Sequence, residues 1–258
     1  MSYNSLEEIV RECQEKDLPF DEVILLDDMN ERNVSREESI ETMRAYVESG
    51  NTLCGPFVGK VMASALAMGE SNACMKRIVA APTAGACGVL PAVLVNYQKE
   101  KGTADEQIVR ALYTAAGIGQ VVAARAYIAG ASGGCQAEIG TASAMAAGAL
   151  TALGGGTPSQ ITHAAAMALK NLLGLVCDPV GGLVEVPCVK RNVIGSVNAL
   201  SAADMALAGI ISRIPPDQVI DAMREVGDQM HPSLRETGQG GLANTPAARE
   251  WCAAQEEE

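Results

Sequence analysis

The segment SGGCQAEIGTASAMAAGAL, residues 132–150, decides the fold class that the sequence predicts. It consists mainly of Ala, Gly, Ser and Thr; Ala is the strongest helix former, and small side chains let helices approach closely. The 258-residue chain has the same bias, being 48% hydrophobic but only 3% aromatic. Runs of β-branched and aromatic residues, which strands favour, are few. We therefore predict an all-α fold, an Ala/Gly-rich, bundle-like helical domain.

Cys135 lies at the N-terminus of this predicted helix, directly after Gly133 and Gly134. Free backbone N–H groups and the helix dipole favour a thiolate at a helix N-terminus. A nucleophile, a metal ligand and a small apolar residue in a tight place are three interpretations of this cysteine. The segment alone does not decide among them.

Gly and Pro breaks divide the rest of the chain into a series of apolar helices. We predict these helices at residues 57–70, 88–99, 104–130, 137–153, 158–172, 191–211 and 216–227. Residues 1–50 are predicted to form an acidic helical lead-in with capping boxes at 5–8 and 35–38. Residues 51–258 form the main domain, which ends in a flexible tail from about residue 238.

The distribution of charge argues against nucleic acid and membrane as partners. The net charge is −12, and residues 1–50 hold 14 acidic and 5 basic side chains, so no basic patch stands out. Residues 139–169 contain no Asp, Glu, Lys or Arg, but they are rich in small residues and are broken by GGGTPSQ at 154–160. We therefore predict buried helices there and no membrane span.

The eight cysteines and the N-terminal residues predict a protein of the reducing cytoplasm. The first residues, MSYNSLEEIVR, are charged and lack the apolar core of a secretory signal peptide. Eight cysteines in 258 residues are also too sparse for a secreted disulfide scaffold. Metal binding, catalysis and inert buried thiols remain the interpretations of these cysteines.

Three Gly/Pro breaks lie in apolar surroundings, which suggests backbone that approaches a ligand. They are APTAGACG at 81–88, GASGGC at 130–135 and CDPVGGLVEVPC at 177–188. Cys135, Cys177 and Cys188 lie in these loops, with separations of 42 and 11 residues. That spacing matches neither a zinc ribbon nor a ferredoxin, so a metal or cluster site and packed thiols both remain open.

The chain resembles the catalytic α chain of iron–sulfur-dependent L-serine dehydratase. Three motifs carry the resemblance in family order: APTAGACGVLPAVL, GASGGCQAEIGTASAMAAGAL and GLVCDPVGGLVEVPCVKRN. It extends over about residues 35–245, and its CDPVGG…VPC…RN block is long and unusual. The resemblance implies that Cys135, Cys177 and Cys188 bind three irons of a [4Fe–4S] cluster. The fourth iron would be left for the substrate, and the loops between buried helices would bind the cluster.

The resemblance also implies that residues 51–258 form a catalytic iron–sulfur domain acting on L-serine. An open iron is a Lewis acid that could hold the substrate hydroxyl while a base removes the α-proton. The product, aminoacrylate, would become pyruvate and ammonia without pyridoxal phosphate. The alternatives are a related dehydratase or desulfhydrase acting on threonine or cysteine, a non-catalytic cluster-binding or regulatory subunit, and a zinc protein.

Two loops are candidates for holding the substrate, and neither contains an evident general base. Their hydroxyls and open backbone amides suit a carboxylate, as the resemblance also implies, with ordinary turn chemistry as the alternative. The candidate residues are Thr83, Ala84 and Gly85, and Ser132, Gly133 and Gly134. His231 is a candidate for the base, whereas His163 is interpreted as a structural residue of an apolar helix. Glu138 and Lys190 are interpreted as paired or solvent-facing.

Cys252, near the end of the sequence, is a candidate fourth ligand or tail cap for the open iron. It follows a glycine-rich segment that would let the tail swing, and Trp251 could supply an apolar anchor. A surface thiol on a frayed helix is the alternative. Because no regulatory module with a βαβ pattern is recognisable, we also predict a separate β chain, a homo-oligomer, or both, around a small amino-acid substrate.

Overall fold

The computed structural model describes residues 37–256, and every regular element in that range is a helix. The all-α prediction is confirmed. The ten α-helices of these described residues are α1 Glu37–Glu48, α2 Gly55–Ala73, α3 Val89–Lys101, α4 Asp105–Arg125, α5 Gly130–Gly133, α6 Thr141–Leu153, α7 Pro158–Lys170, α8 Cys188–Leu207, α9 Pro216–Gln229 and α10 Pro246–Glu256. A π-helical turn, Gln136–Gly140, leads into α6. Short 3-10 turns occupy Ala84–Ala86, Val180–Gly182, Pro232–Leu234 and Gly241–Asn244.

Most predicted helices match observed ones within a few residues, and two boundaries differ for identifiable reasons. The helix predicted over 104–130 ends at Arg125, because Ala126 leaves the helical region with φ −140° and ψ −141°. The helix predicted from residue 191 already begins at Cys188, directly after Pro187. A proline is tolerated there because the first helical turn needs no N–H partners within the helix.

Helix α6 is the centre of the core and packs against α4, α7 and α8. Every residue from Thr141 to Thr151 is buried. A Cβ atom at Gly148 would collide with the Ile118 side chain of α4, so this glycine permits the close approach of the two helices. Small residues thus set the helix separation, which is the property that the composition predicts.

The structure describes little of the predicted N-terminal lead-in but nearly all of the predicted C-terminal tail. Most of the predicted lead-in, including the capping box at 5–8, lies outside the described residues, and its last helix, α1, ends at Glu48. At the other end, α10 packs against the turn Val180–Gly182, and the flexibility predicted from residue 238 stays a prediction. None of the described helices combines the length and apolar character needed to cross a membrane.

Candidate active site

The three apolar Gly/Pro loops meet at one place in the fold. A Cβ atom at Gly130 would lie 2.8 Å from Cys177 Sγ and 2.9 Å from Glu138 Oε2. A Cβ atom at Gly85 would lie 3.1 Å from the same carboxylate oxygen. Any larger residue at Gly130 would fill this space, so the close approach itself requires glycine there.

Cys135, Cys177 and Cys188 are brought together at this junction. They are 2%, 3% and 7% exposed, respectively, and all three are free thiols. Cys135 precedes the π-helical turn, Cys177 follows α7, and Cys188 begins α8. The thiols of Cys135 and Cys177 form a hydrogen bond, and Cys188 is near enough to Cys135 for their charges to interact.

The three cysteines differ in how readily they ionise. The hydrogen bond from Cys177 lowers the pKa of Cys135, and the charge of Arg191 lowers it further against the opposing effect of burial. The same hydrogen bond, with Cys177 as its donor, raises the pKa of Cys177. Burial raises the pKa of Cys188 to about 12. Cys135 is therefore the thiol of this group that most readily becomes a thiolate.

A partly buried arginine connects the cysteine-bearing loops. Arg191 Nη2 donates to Asp178 Oδ1 at 2.8 Å, and its Nη1 donates to the Val176 carbonyl at 2.7 Å. Both acceptors are sequence neighbours of Cys177, while Arg191 lies one helical turn after Cys188. The fork of a guanidinium suits such paired acceptors. Arg191 thus fixes α8 to the Cys177 loop and places a positive charge beside the thiols.

A later segment of the chain also lies against the Cys177 loop. The Cys177 N–H donates to the Leu234 carbonyl at 2.8 Å, and the Glu236 N–H donates to the Cys177 carbonyl at 2.7 Å. The Leu242 N–H donates to Asp178 Oδ2 at 2.8 Å. Residues 234–242 are therefore anchored to the site at both the backbone and a side chain.

Glu138 provides a buried carboxyl group at the junction of the loops. Thr83 Oγ1 donates to Glu138 Oε1 at 2.6 Å, and the residue is only 9% exposed. Burial raises the pKa of Glu138, and the Thr83 hydrogen bond partly offsets the rise. Of the two alternatives predicted for this residue, solvent-facing is wrong, because the carboxyl is buried and accepts a hydrogen bond from the Thr83 hydroxyl. It lies three residues after Cys135 in a π-helical turn, a distortion frequently found at functional sites.

The two predicted substrate loops are placed differently. Thr83 and Gly85 lie beside Glu138, whereas Ala84 is exposed. Ser132 is exposed too. The glycines after it are packed: a Cβ atom at Gly133 would lie 2.9 Å from Tyr127 Cβ, and one at Gly134 would lie 2.6 Å from Met230 Cε. A substrate role for either loop stays a prediction.

The structure does not bring the predicted histidines or Cys252 into direct contact with the three cysteine thiols or Glu138. His231 is exposed, and its Nδ1 lies 2.8 Å from Ser233 Oγ, in the turn just before Leu234. His163, predicted to be structural, has a buried Nδ1 with no hydrogen-bond partner among the described residues. Cys252 Sγ lies 3.3 Å from the position that a Cβ atom at Gly181 would take, so it contacts the loop between Cys177 and Cys188.

Sequence reasoning missed three polar residues that hold the site together: Asp178, Arg191 and Asn192. The buried Asn192 accepts from the Gly88 N–H at 2.8 Å and donates to the Gly85 carbonyl at 2.9 Å and the Cys188 carbonyl at 3.0 Å. Arg191 and Asn192 follow Cys188 by three and four residues, and this spacing on a helix places side chains on one face. From that spacing, the sequence could have predicted that Arg191 and Asn192 lie on the same helix face as Cys188.

The cysteine arrangement is not that of a site for one metal ion. Within residues 37–256, no group of three or more His, Cys, Asp or Glu side chains is placed to hold a single metal ion. An iron–sulfur cluster makes a different demand, because each thiolate binds its own iron. The donor set of three free buried thiols with a neighbouring cation fits that demand.

The fold and site define an all-α protein with a buried thiol-and-carboxyl site between helix-joining loops. The sequence profile of the family described as serine dehydratase alpha chain matches residues 3–243. The chain therefore belongs to the serine dehydratase alpha chain family, which confirms the predicted resemblance.

Several curated relatives support the same assignment. The chain is 56% identical over 208 residues to the probable L-serine dehydratase, alpha chain, of Bacillus subtilis, covering 81% of this chain and 69% of that protein. It is 58% identical over 183 residues to a Latilactobacillus sakei protein of the same name, covering 71% and 88%. Identity to the L-serine dehydratase, alpha chain, of Peptoniphilus asaccharolyticus is 51% over 200 residues, covering 78% and 68%.

Proposed function

We propose that this chain is a lyase that converts L-serine to pyruvate and ammonia by dehydration and deamination. The observation that carries the proposal is the meeting of three buried cysteines and the Glu138 carboxyl on the loops that surround them. The relatives named L-serine dehydratase supply the substrate class.

We further propose that Cys135, Cys177 and Cys188 hold a [4Fe–4S] cluster in a reducing cytoplasm. Cluster ligands are thiolates, and buried thiolate charge is costly unless a cation compensates it. The lowered pKa of Cys135, caused first by its hydrogen bond with Cys177, and the nearby Arg191 guanidinium support this proposal. When bound, the cluster would supply an iron with an open position that polarises the substrate hydroxyl.

The residues beside the cysteines suit the rest of the reaction. Loss of the α-proton and the β-hydroxyl as water gives aminoacrylate, which hydrolyses to pyruvate and ammonia. A substrate bound along Thr83 and Gly85 would lie next to Glu138. A carboxyl group whose pKa is raised by burial can carry a proton at a pH where an exposed one cannot, so Glu138 can deliver it to the departing oxygen. His231 remains the candidate for the base that takes the α-proton.

We also propose that the active assembly contains a separate β chain, as the alpha-chain names of the relatives imply. Exposed apolar side chains beside the site support a partner surface there. Leu183 and Val186 in the Cys177–Cys188 loop and Leu242 in the later segment are 48%, 39% and 44% exposed. Large apolar side chains gathered around a site commonly mark a protein contact.

Cys252 is proposed to cap the open iron position when no substrate is bound. Its thiol already contacts the loop between two of the proposed ligands, at Gly181. Helix α10, which carries Cys252, packs on that loop. A small shift of the helix would bring the thiol closer to the proposed open iron position. Substrate would then displace Cys252.

The experiment that tests the function is a set of anaerobic assays of the reconstituted chain, with and without the candidate β chain. Formation of 2-oxo acid is measured from L-serine, L-threonine and L-cysteine. Faster turnover of L-serine supports the proposal, and faster turnover of either other amino acid assigns the alternative substrate. A brown protein with no turnover in either assembly contradicts the catalytic role. A colourless, zinc-loaded protein contradicts the cluster.

A further inference from the structure

Glu236 has a backbone conformation that an L side chain adopts only at a cost. Its φ is +64°, and Met75 is the one other non-glycine residue with positive φ within residues 37–256. For a residue with a Cβ atom, the left-handed region costs about 1 kcal/mol or more, which glycine avoids. The backbone here would therefore favour glycine, yet the position holds a carboxylate.

The backbone of Glu236 is fixed beside a proposed cluster ligand. Its N–H donates to the Cys177 carbonyl at 2.7 Å, while the Cys177 N–H donates to the Leu234 carbonyl. Those two hydrogen bonds hold Glu236 at the edge of the site. The side chain is exposed, and its carboxylate forms no hydrogen bond or ion pair with any residue from 37 to 256.

The charge of Glu236 acts on the buried Glu138 carboxyl of the site. Burial is the main reason that the pKa of Glu138 is raised, and the Glu236 carboxylate raises it further. The negative charge of Glu236 is therefore close to the carboxyl group at the junction of the loops.

We propose that the Glu236 carboxylate binds the ammonium group of the amino-acid substrate. This inference rests on the proposed function. Serine has a carboxylate, a hydroxyl and an ammonium group, and the inference assigns the ammonium to a residue of the same site. Glu138, the other carboxyl at the site, already accepts the Thr83 hydroxyl, whereas Glu236 is unpaired within the described range. An unpaired carboxylate at the rim of a largely buried site is a suitable acceptor for a charged N–H donor.

The backbone conformation makes a two-variant test possible. Glu236→Gln removes the charge and keeps the side-chain length, while Glu236→Gly removes the side chain and suits φ +64°. Both should raise the KM for L-serine by about tenfold or more, because a charge-assisted hydrogen bond is lost. Glu236→Gly should keep the wild-type melting temperature. The matched controls are Met75→Gly for the backbone and Glu106→Gln, which removes an exposed carboxylate paired with Arg110.

A substrate analogue separates ammonium recognition from a general disturbance of the site. Hydroxypropanoate has the carboxylate and hydroxyl of serine but no ammonium, so its inhibition constant should be the same in wild type and both variants. An unchanged KM for L-serine, or equal weakening of serine and the analogue, overturns the role of Glu236. If the wild type forms no pyruvate, the proposed function fails, and calorimetric binding of L-serine and hydroxypropanoate to the same variants decides the ammonium site separately.

Discussion

The Asp178 carboxylate is shared between the Arg191 guanidinium and the backbone N–H of Leu242, at 2.8 Å on each side. Asp178 is 3% exposed, so water cannot replace a lost partner. One side chain thus joins the cysteine-bearing helix α8 to the segment that precedes α10. Asp178 therefore holds the site together through Arg191 and also attaches the C-terminal segment through Leu242.

Asp178→Asn should loosen the C-terminal segment and destabilise the chain. An amide offers one acceptor oxygen for two donors, and breaking a buried ion pair costs about 3 kcal/mol. Hydrogen exchange should accelerate in the peptide covering residues 238–250 before it does so in α6. The control is Asp221→Asn, which removes a partly exposed partner of Arg125 and should have a much smaller effect. Equal exchange in wild type and Asp178→Asn would contradict the anchoring role.

Replacing Cys135, Cys177 or Cys188 by Ala should remove iron binding and activity together. Each substitution deletes one thiolate of the proposed ligand set, and the remaining two cannot hold the cluster firmly. Iron per chain and visible absorption after anaerobic reconstitution provide the measurement. Cys54→Ala removes an exposed thiol and should keep full iron content. A brown, active Cys177→Ala protein would rule out the proposed ligand set.

Cys252→Ala should keep turnover while shortening the lifetime of the cluster in air. Without a capping thiol, the substrate meets less competition, so the apparent KM for serine should fall. Loss of visible absorption after exposure to air should be faster than in the wild type and in Cys54→Ala. Wild-type values for both KM and cluster lifetime in Cys252→Ala would show that the thiol has no capping role.

Glu138→Gln should change how the stability of the metal-free chain depends on pH. Burial raises the pKa of Glu138, so the folded chain disfavours ionisation of this carboxyl. Its contribution to stability is full below the ordinary carboxyl pKa and is lost as the pH rises through the raised value. The free energy of unfolding of the wild type minus that of Glu138→Gln should therefore fall as the pH rises above about 4.5, the ordinary carboxyl pKa. Denaturant titrations at a series of pH values measure this difference in the free energy of unfolding, with Glu106→Gln as the control variant. A difference that does not change with pH would be contrary evidence.

A pair of glycines tests the helix spacing in the core. Gly148→Ala would force a Cβ atom into the Ile118 side chain and should destabilise the chain by about 1–3 kcal/mol. Gly117→Ala, in α4, meets open space and should stabilise it by about 0.5–1 kcal/mol. Thermal unfolding of the two variants should shift in opposite directions. Shifts of the same sign would mean that helix propensity, not the contact with α4, determines the effect at Gly148.

The fold class could be predicted because its causes are local. A segment such as 132–150 carries its helix propensity and its small side chains in the sequence itself, and the breaks at glycine and proline are equally local. The meeting of the three loops was predicted only through the family resemblance. Spacings of 42 and 11 residues contain no geometric information that would bring Cys135, Cys177 and Cys188 together.

The polar framework of the site could not be predicted, because its contacts join residues far apart in the chain. The whole of α8 and α9 lies between Cys177 and Glu236 in the chain, and no local pattern indicates that the two residues form a hydrogen bond. The position of Glu138 depends on the π-helical turn, which shifts the register of the helix start. A charged residue beside a helix start is more often exposed, so burial of its carboxyl required the tertiary structure.

The hydrogen bonds between Cys177 and the segment Leu234–Glu236 have a consequence for the order in which the molecule forms during synthesis. A nascent chain that has left the ribosome only as far as the end of α8 already contains all three proposed cysteine ligands, yet lacks the backbone partners of Cys177. The larger cluster of buried apolar residues lies between Val61 and Ala206, so it can pack at that stage. The site is complete only after residues 234–236 have been synthesised, so any maturation step that needs the finished pocket follows folding of the core.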